Sequence, residues 1–342
     1  MTINVAVATF DAVVLGCDSL SSIVQPMLNL VTGAQFVLDD DGKPVSDKHG
    51  RSVFTFDESA VEQQPTTVFG GVSKMFLLYQ NKDTSVAAVT SGQGTISGRT
   101  IATLATSYRR SHEVQKTHFT KVEDVADDFL QYMHGEWCKQ PHLSSIPEEI
   151  RQYMPSVNFI LGGYGADDDY GKIFHLDVAR VQKTETFPKD HHCGVTWGGQ
   201  AGFVQRLLRG VDASLEQLVQ RRIVEALDAQ RTQLLEAVLS GLTKAGVPIP
   251  EGINFDITEV LAPSDPWDKF WATVDYPNLP VQYAVDLASL LVNTQSGMQH
   301  FGSGIATVGG RTHIGVLQRN TPFKKLKEPK LAHAHTGYSH EL

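Results

Sequence analysis

A threonine at position 2 carries two reactive groups on one residue once the methionine before it is removed: a hydroxyl and an α-amine. A small side chain in the second position is what methionine aminopeptidase accepts, so Thr2 is expected to become the first residue. A free α-amine titrates near ~8, so at neutral pH part of it is neutral and can take the proton of its own hydroxyl, directly or through a water. Nucleophile and base are then one residue. The pair still needs a cation to keep the amine pKa low, a carboxylate to orient that cation and an N–H donor for the oxyanion. One carboxylate, Asp18, stands at the end of the second apolar run of the chain.

Other reactive side chains have plainer readings. Cys17 adjoins Asp18, but strand alternation is expected to turn it to the opposite face, away from nucleophilic duty. His191-His192-Cys193 and the histidines at 333, 335 and 340 lack a second cluster to complete a four-ligand metal set, so they read as a solvated loop and a flexible tail, and no metal or cofactor is expected. Asp167-Asp168-Asp169 is followed by no ordered series of oxygen ligands and reads as a solvated turn. Trp267 and Trp271 are expected to cover a small local core.

The elements that must position these groups follow from periodicity. Residues 3–8 and 12–17 form an apolar hairpin entering a buried sheet, and 66–79 and 85–90 resume strand character. Between them, 20–65 reads as a turn-rich inserted excursion with a short hairpin of its own. Helical spacing appears over 97–110 and 123–136; strands follow at 157–162 and 173–177. Then come helices at 203–210, 215–245 and 281–294 and a last strand at 313–318, with a Pro-rich irregular segment at 246–279. Helices come in blocks and do not alternate with single strands, which favours a layered α+β arrangement over a doubly wound parallel sheet. One domain is expected over 1–320, with insertions at about 20–65 and 211–280 and a flexible tail at 321–342.

Thr2-Ile3-Asn4-Val5-Ala6-Val7 followed by Asp11-Ala12-Val13-Val14-Leu15-Gly16-Cys17-Asp18-Ser19 resembles the start of a mature proteasome β-subunit and of its bacterial two-component relative. Those are N-terminal nucleophile (Ntn) hydrolases with a four-layer αββα sandwich. Their threonine begins the first strand, their carboxylate follows at the spacing of Asp18 from Thr2, and a lysine opens a later core strand. Ser73-Lys74-Met75-Phe76-Leu77-Leu78 is similar to that strand, displaced by the 20–65 insertion, and Gly92 matches the glycine whose N–H faces the oxyanion. The resemblance continues through Val157–Gly163, Ile173–Asp177, Trp197-Gly198-Gly199-Gln200 and Val308-Gly309-Gly310, over about 200 residues by the family's order of elements. Two features depart from it. The family's serine in the glycine turn near Gly199 and its late aspartate have no counterpart; Ser296, Gln299, His300 and Ser303 occupy the late region.

The resemblance implies a threonine-type peptidase in which Thr2 attacks, Lys74 lowers the amine pKa, Asp18 fixes Lys74 and the Gly92 N–H holds the oxyanion. It implies peptide or protein substrate, a homo-oligomer of ring or other enclosing shape, and an ATPase partner. Two alternatives keep the fold: an amidase of small molecules, and an inert scaffold subunit. Composition narrows the field further. The chain of 342 residues is 41% hydrophobic with net charge −9, giving no basic surface for nucleic acid or anionic membranes. No apolar run approaches the roughly 20 residues of a membrane span, and three cysteines without a CxxC pair fit a reducing compartment, so a cytoplasmic protein is expected.

Overall fold

The computed structural model describes residues 2–28, 34–39, 41–56, 61–187, 192–246, 267–302 and 305–327. His191, Ser303 and the histidines of the tail lie outside the described residues. The chain divides into two compact units, Met1–Gln200 with Asp275–Leu342, and Ala201–Val274.

The first unit is mixed α and β, built on two antiparallel five-stranded sheets. One sheet runs β14 (Gly194–Gly199), β1 (Ile3–Ala8), β2 (Val13–Cys17), β15 (His313–Gln318), β16 (Thr321–Lys327). The other runs β13 (Gln182–Glu185), β12 (Lys172–Asp177), β11 (Val157–Tyr164), β8 (Ser85–Gly92), β7 (Met75–Gln80). Period-two alternation gives the strands two apolar faces. Along β8, Ala87 and Val89 join Val13, Leu15, Cys17 and Ile160 in a core between the sheets. Val86 and Ala88 of the same strand face away, into a second core with Phe129, Phe159 and Trp137. That second core is closed by α1 (Ile101–Gln115), packed on β7, and α2 (Val122–Cys138), packed on β11 and β12. Buried Val122, Val125, Ala126, Phe129, Leu130, Met133 and Trp137 recur at three- and four-residue steps and give α2 its inward stripe. Each large apolar side chain removed from water there contributes about 1.5–3 kcal/mol. On the other sheet α5 (Val281–His300) packs against β1, β2 and β15.

Several sequence expectations need correction. The helix expected over 97–110 starts only at Ile101, because β9 (Thr95–Ile96) and β10 (Arg99–Thr100) form a tight hairpin first. Thr100 then caps the helix, its hydroxyl accepting from Thr103 N at 3.1 Å. The 66–79 stretch is not one strand. Its first part belongs to β6 (Val61–Phe69), which pairs with β3 (Ser21–Leu28), so the 20–65 excursion is a long ribbon and not only a short hairpin. The short hairpin is also present, as β4 (Ala34–Phe36) against β5 (Phe54–Phe56). Thr321–Lys327, within the expected tail, form the edge strand β16 on β15. Asp168 is not solvated: it is buried, accepts from Gly165 N at 2.9 Å and pairs with Lys172 at 2.9 Å.

The second unit holds α3 (Gly202–Arg209) and the long α4 (Ala213–Lys244). Asp212 caps α4, its Oδ1 accepting from Leu215 N at 2.9 Å, and its carboxylate also pairs with Arg206. Trp271 lies over the Arg209 guanidinium at 5.7 Å and Ala272 N donates to Leu208 O at 2.7 Å. Trp271 is nonetheless 40% exposed, so it covers this unit only in part.

Candidate active site

The site begins with strand register. β1 and β2 are joined by a tight turn in which Thr9 Oγ1 accepts from Asp11 N and Ala12 N. The ladder pairs Asn4 with Cys17, and one step further Ile3 faces Asp18. Ile3 N accordingly donates to Asp18 Oδ1 at 3.1 Å, and Asp18 N to Ile3 O at 3.3 Å. A six-residue strand and a tight turn therefore suffice to return a carboxylate to the start of the chain.

Asp18 is 1% exposed and gathers three backbone donors: Ile3 N, Leu20 N at 3.2 Å and Gly309 N at 3.0 Å. Its fourth partner comes from the opposite sheet. Lys74, the residue before β7, sends its ammonium between the sheets, donating to Asp18 Oδ1 at 2.8 Å and to Thr2 Oγ1 at 2.7 Å. Burial pulls the Lys74 ammonium below the ordinary lysine value, against the opposing field of Asp18. Three of the four residues expected for the site, Thr2, Asp18 and Lys74, are thus in one hydrogen-bonded line, all buried.

Gly92 ends β8 at the same place. It lines the cavities on both sides of Thr2. Its φ of +94° and the closeness of the Ser156 carbonyl to where a Cβ would stand leave only glycine there. Gly199 closes the opposite side: at φ +74° it lies under the Thr2 carbonyl, and Gln200 N donates to Thr2 O at 2.6 Å.

Cys17 is no rival nucleophile. It is fully buried in the core between the sheets, and burial, with Asp18 beside it, pushes its thiol up to about 12. His192 stacks on Tyr170, ring centroids 4.3 Å apart, and burial raises the Cys193 thiol to about 11.

Two cavities of about 440 and 450 Å³ open on either side of Thr2 and share Thr2, Ser91 and Gly92. The first runs over β11 to β13 and holds Asn158, His175 and Thr184. His175 Nε2 is 2.7 Å from Thr196 Oγ1, and burial lowers the imidazole pKa, so the ring is neutral at neutral pH. The second lies between β7, α1 and the ribbon, with Ser21, Ile23, Phe69 and Ile101 in its wall. An alcohol held by a buried ammonium between two cavities is a group that can serve as a nucleophile towards a molecule lying in them.

Gln200, Ser91 and His175, which line these cavities, carry no functional mark in the sequence. In the sequence Gln200 stands only as the end of a Gly-Gly turn, and Gln299 only as one residue of a late region without a carboxylate. Neither type carries a charge or a motif to mark it.

Among the described residues no group of three or more His, Cys, Asp or Glu is arranged to hold a metal ion, and no helix is long and apolar enough to cross a membrane. No protein-family model matches the chain, and no curated protein matches it. Among solved structures it is similar to Anbu (ancestral beta-subunit) from Yersinia bercovieri, at 8% identity and TM-score 0.44, over 95% of this chain and 87% of that one. It is also similar to an Anbu (Gly-1) mutant from Hyphomicrobium sp. strain MC1, at 10% identity and TM-score 0.45 over the same shares. The helical assembly of the Anbu complex from Pseudomonas aeruginosa gives 10% identity and TM-score 0.44, over 94% of this chain and 85% of that one.

Proposed function

We propose that the protein is an N-terminal threonine hydrolase of the proteasome type, cleaving peptide bonds through an acyl-enzyme after removal of Met1. The observation that carries this reading is the line Thr2 Oγ1, Lys74 Nζ, Asp18 Oδ1, with steps of 2.7 and 2.8 Å in a buried setting. Support for the fold assignment comes from the packing of helices on the outer faces of two facing antiparallel sheets, the arrangement an αββα Ntn sandwich requires.

The chemistry follows from the groups. Thr2 Oγ attacks the substrate carbonyl carbon while its proton passes to the Thr2 amine. The Lys74 ammonium, donating to Oγ, favours the alkoxide-like oxygen and by its charge holds down the amine pKa. The carbonyl oxygen takes the negative charge and receives the Gly92 N–H. Collapse breaks the C–N bond, the amine's extra proton goes to the leaving nitrogen, and an ester on Thr2 remains. Water, deprotonated by the same amine, attacks the ester, releasing a carboxylic acid and restoring the hydroxyl. No cofactor enters.

Cavities on both sides of the nucleophile favour a peptide crossing the site over a small amide sealed in one pocket. A threonine nucleophile reached from two cavities calls for enclosure, so the proposal includes a homo-oligomer that shields it and an ATPase partner that feeds it. The test is an intact mass without the initiator methionine, followed by a β-lactone or epoxyketone adduct mapped to Thr2. Properly folded, Met1-free protein that takes no adduct at Thr2 would overturn the reading and leave the inert scaffold. Light scattering reports the assembly, and turnover of small amides but not peptides would give the amidase.

A further inference from the structure

The hydrogen bonds that start at the Thr2 hydroxyl return to its carbonyl. From Thr2 Oγ1 they run through Lys74 Nζ and Asp18 to Gly309 N. Gly309 follows Val308, whose N–H donates to Gln299 Oε1 at 3.1 Å, as Thr307 N does at 3.1 Å. Gln299 Nε2 donates to Gln200 Oε1 at 3.0 Å. Thr307 Oγ1 lies 3.0 Å from Gln200 Oε1 and 3.3 Å from Gln299 Oε1, so its single proton is best given to Gln200. Gln200 N then closes the circuit on Thr2 O at 2.6 Å. Thr307 is 5% exposed.

Resting on the hydrolase reading above, we propose that Gln200, Gln299 and Thr307 are positioning residues for the nucleophile, a charge-neutral clamp on the Thr2 main chain. Two physical consequences follow. The network fixes Thr2 from its carbonyl side while Lys74 fixes it from its hydroxyl side, so the attacking oxygen has little freedom. Being neutral, it adds no second anion to the surroundings of Thr2, so the amine freed by loss of Met1 sheds its proton more readily and serves as base at lower pH. Among the described residues, the charged and titratable groups around Thr2 include Lys74 before β7, Asp18 and Cys17 at the end of β2, buried His313 of β15 opposite Cys17, and His175 and Asp177 of β12 across the first cavity; His300 of α5 lies near Gly309.

The test measures β-lactone labelling at Thr2, by intact mass, against pH and probe concentration in the full-length, Met1-free protein. Gln200→Glu keeps both acceptances at Oε1 and adds a charge; the acid limb of the labelling rate is expected to move up by about one pH unit. Gln299→Met removes the amide at nearly constant volume; the limiting labelling rate is expected to fall about tenfold, with the concentration for half-maximal rate unchanged. A merely structural role moves neither the limb nor the rate at constant half-saturation. Wild-type rate and pH profile in both variants would overturn the inference while a labelled wild type keeps the hydrolase reading. A wild type that takes no label overturns both. Should Gln299→Met not fold, the pH limb of Gln200→Glu decides.

Discussion

Lys74 Nζ donates to Thr2 Oγ1 across 2.7 Å although 72 residues separate the two in the chain. The contact exists because Lys74 enters from one sheet and Thr2 from the other, with Asp18 holding the ammonium from beneath. It makes the lysine a partner of the Thr2 hydroxyl and not merely the counter-ion of a carboxylate. Replacing it should therefore damage chemistry more than architecture. Lys74→Met should reduce peptide hydrolysis and β-lactone labelling on the order of 10²–10⁴-fold, while Thr2→Ser retains both and Thr2→Ala abolishes them. Near-normal labelling of folded Lys74→Met would remove the lysine from the mechanism.

Stability should respond to the two ends of the ion pair unequally. Asp18→Ala leaves a buried ammonium without its carboxylate and orphans the N–H groups of Ile3 and Gly309, so a loss of about 3–5 kcal/mol is expected. Lys74→Met leaves Asp18 its three backbone donors and fills the space with an apolar chain, so about 1–3 kcal/mol is expected. Urea denaturation of the two variants checks the order; a costlier lysine variant would contradict it.

Burial sets the sign of the His175 contribution to stability. The folded imidazole has its pKa lowered from 6.5, so on acidification the unfolded chain takes up a proton that the folded chain refuses. The contribution is present above pH 6.5 and is lost as pH falls from there through the folded value. Unfolding free energies across that window should slope downward on acidification in the wild type and be flatter in His175→Gln. A steeper slope in the variant would refute the assignment.

Gly199 is a position where a methyl group alone should be enough to injure the site. Its φ of +74° disfavours any L side chain, and a Cβ would stand inside contact distance of the Thr2 carbonyl. Gly199→Ala should destabilise by about 1–3 kcal/mol and displace Thr2, seen as slower labelling in protein that still melts cooperatively. Labelling at the wild-type rate would mean that the turn does not constrain the nucleophile.

Asp212 gives a test confined to the second unit. Leu215 N–H foremost, with Arg206 also contributing, holds its carboxyl below 3.8, so its stabilising effect is present above pH 3.8 and lost as pH falls through the folded value. Asp212→Ala should lower helix stability by about 1 kcal/mol, read from the circular dichroism of thermal melts. An unchanged melt would mean that α4 does not depend on its cap.

The sequence by itself determined the pieces whose causes are local. Apolar alternation over 3–8 and 12–17, with a tight turn between, fixes a hairpin, and the hairpin's register fixes Asp18 opposite Ile3 without help from the rest of the chain. The inward stripe of α2 and the strand 313–318 are legible for the same reason, since side-chain periodicity is set over a few residues. What only the tertiary structure decided is everything that depends on two sheets meeting. Lys74 is one lysine among many until β7 carries it to Thr2, and the β3–β6 ribbon depends on a register between segments about 40 residues apart. The amides of Gln200 and Gln299 become part of the site only when the turn after β14 meets the end of α5. Neutral side chains leave no charge pattern in a sequence, and their hydrogen bonds exist only where packing brings distant backbone groups within 3 Å or so.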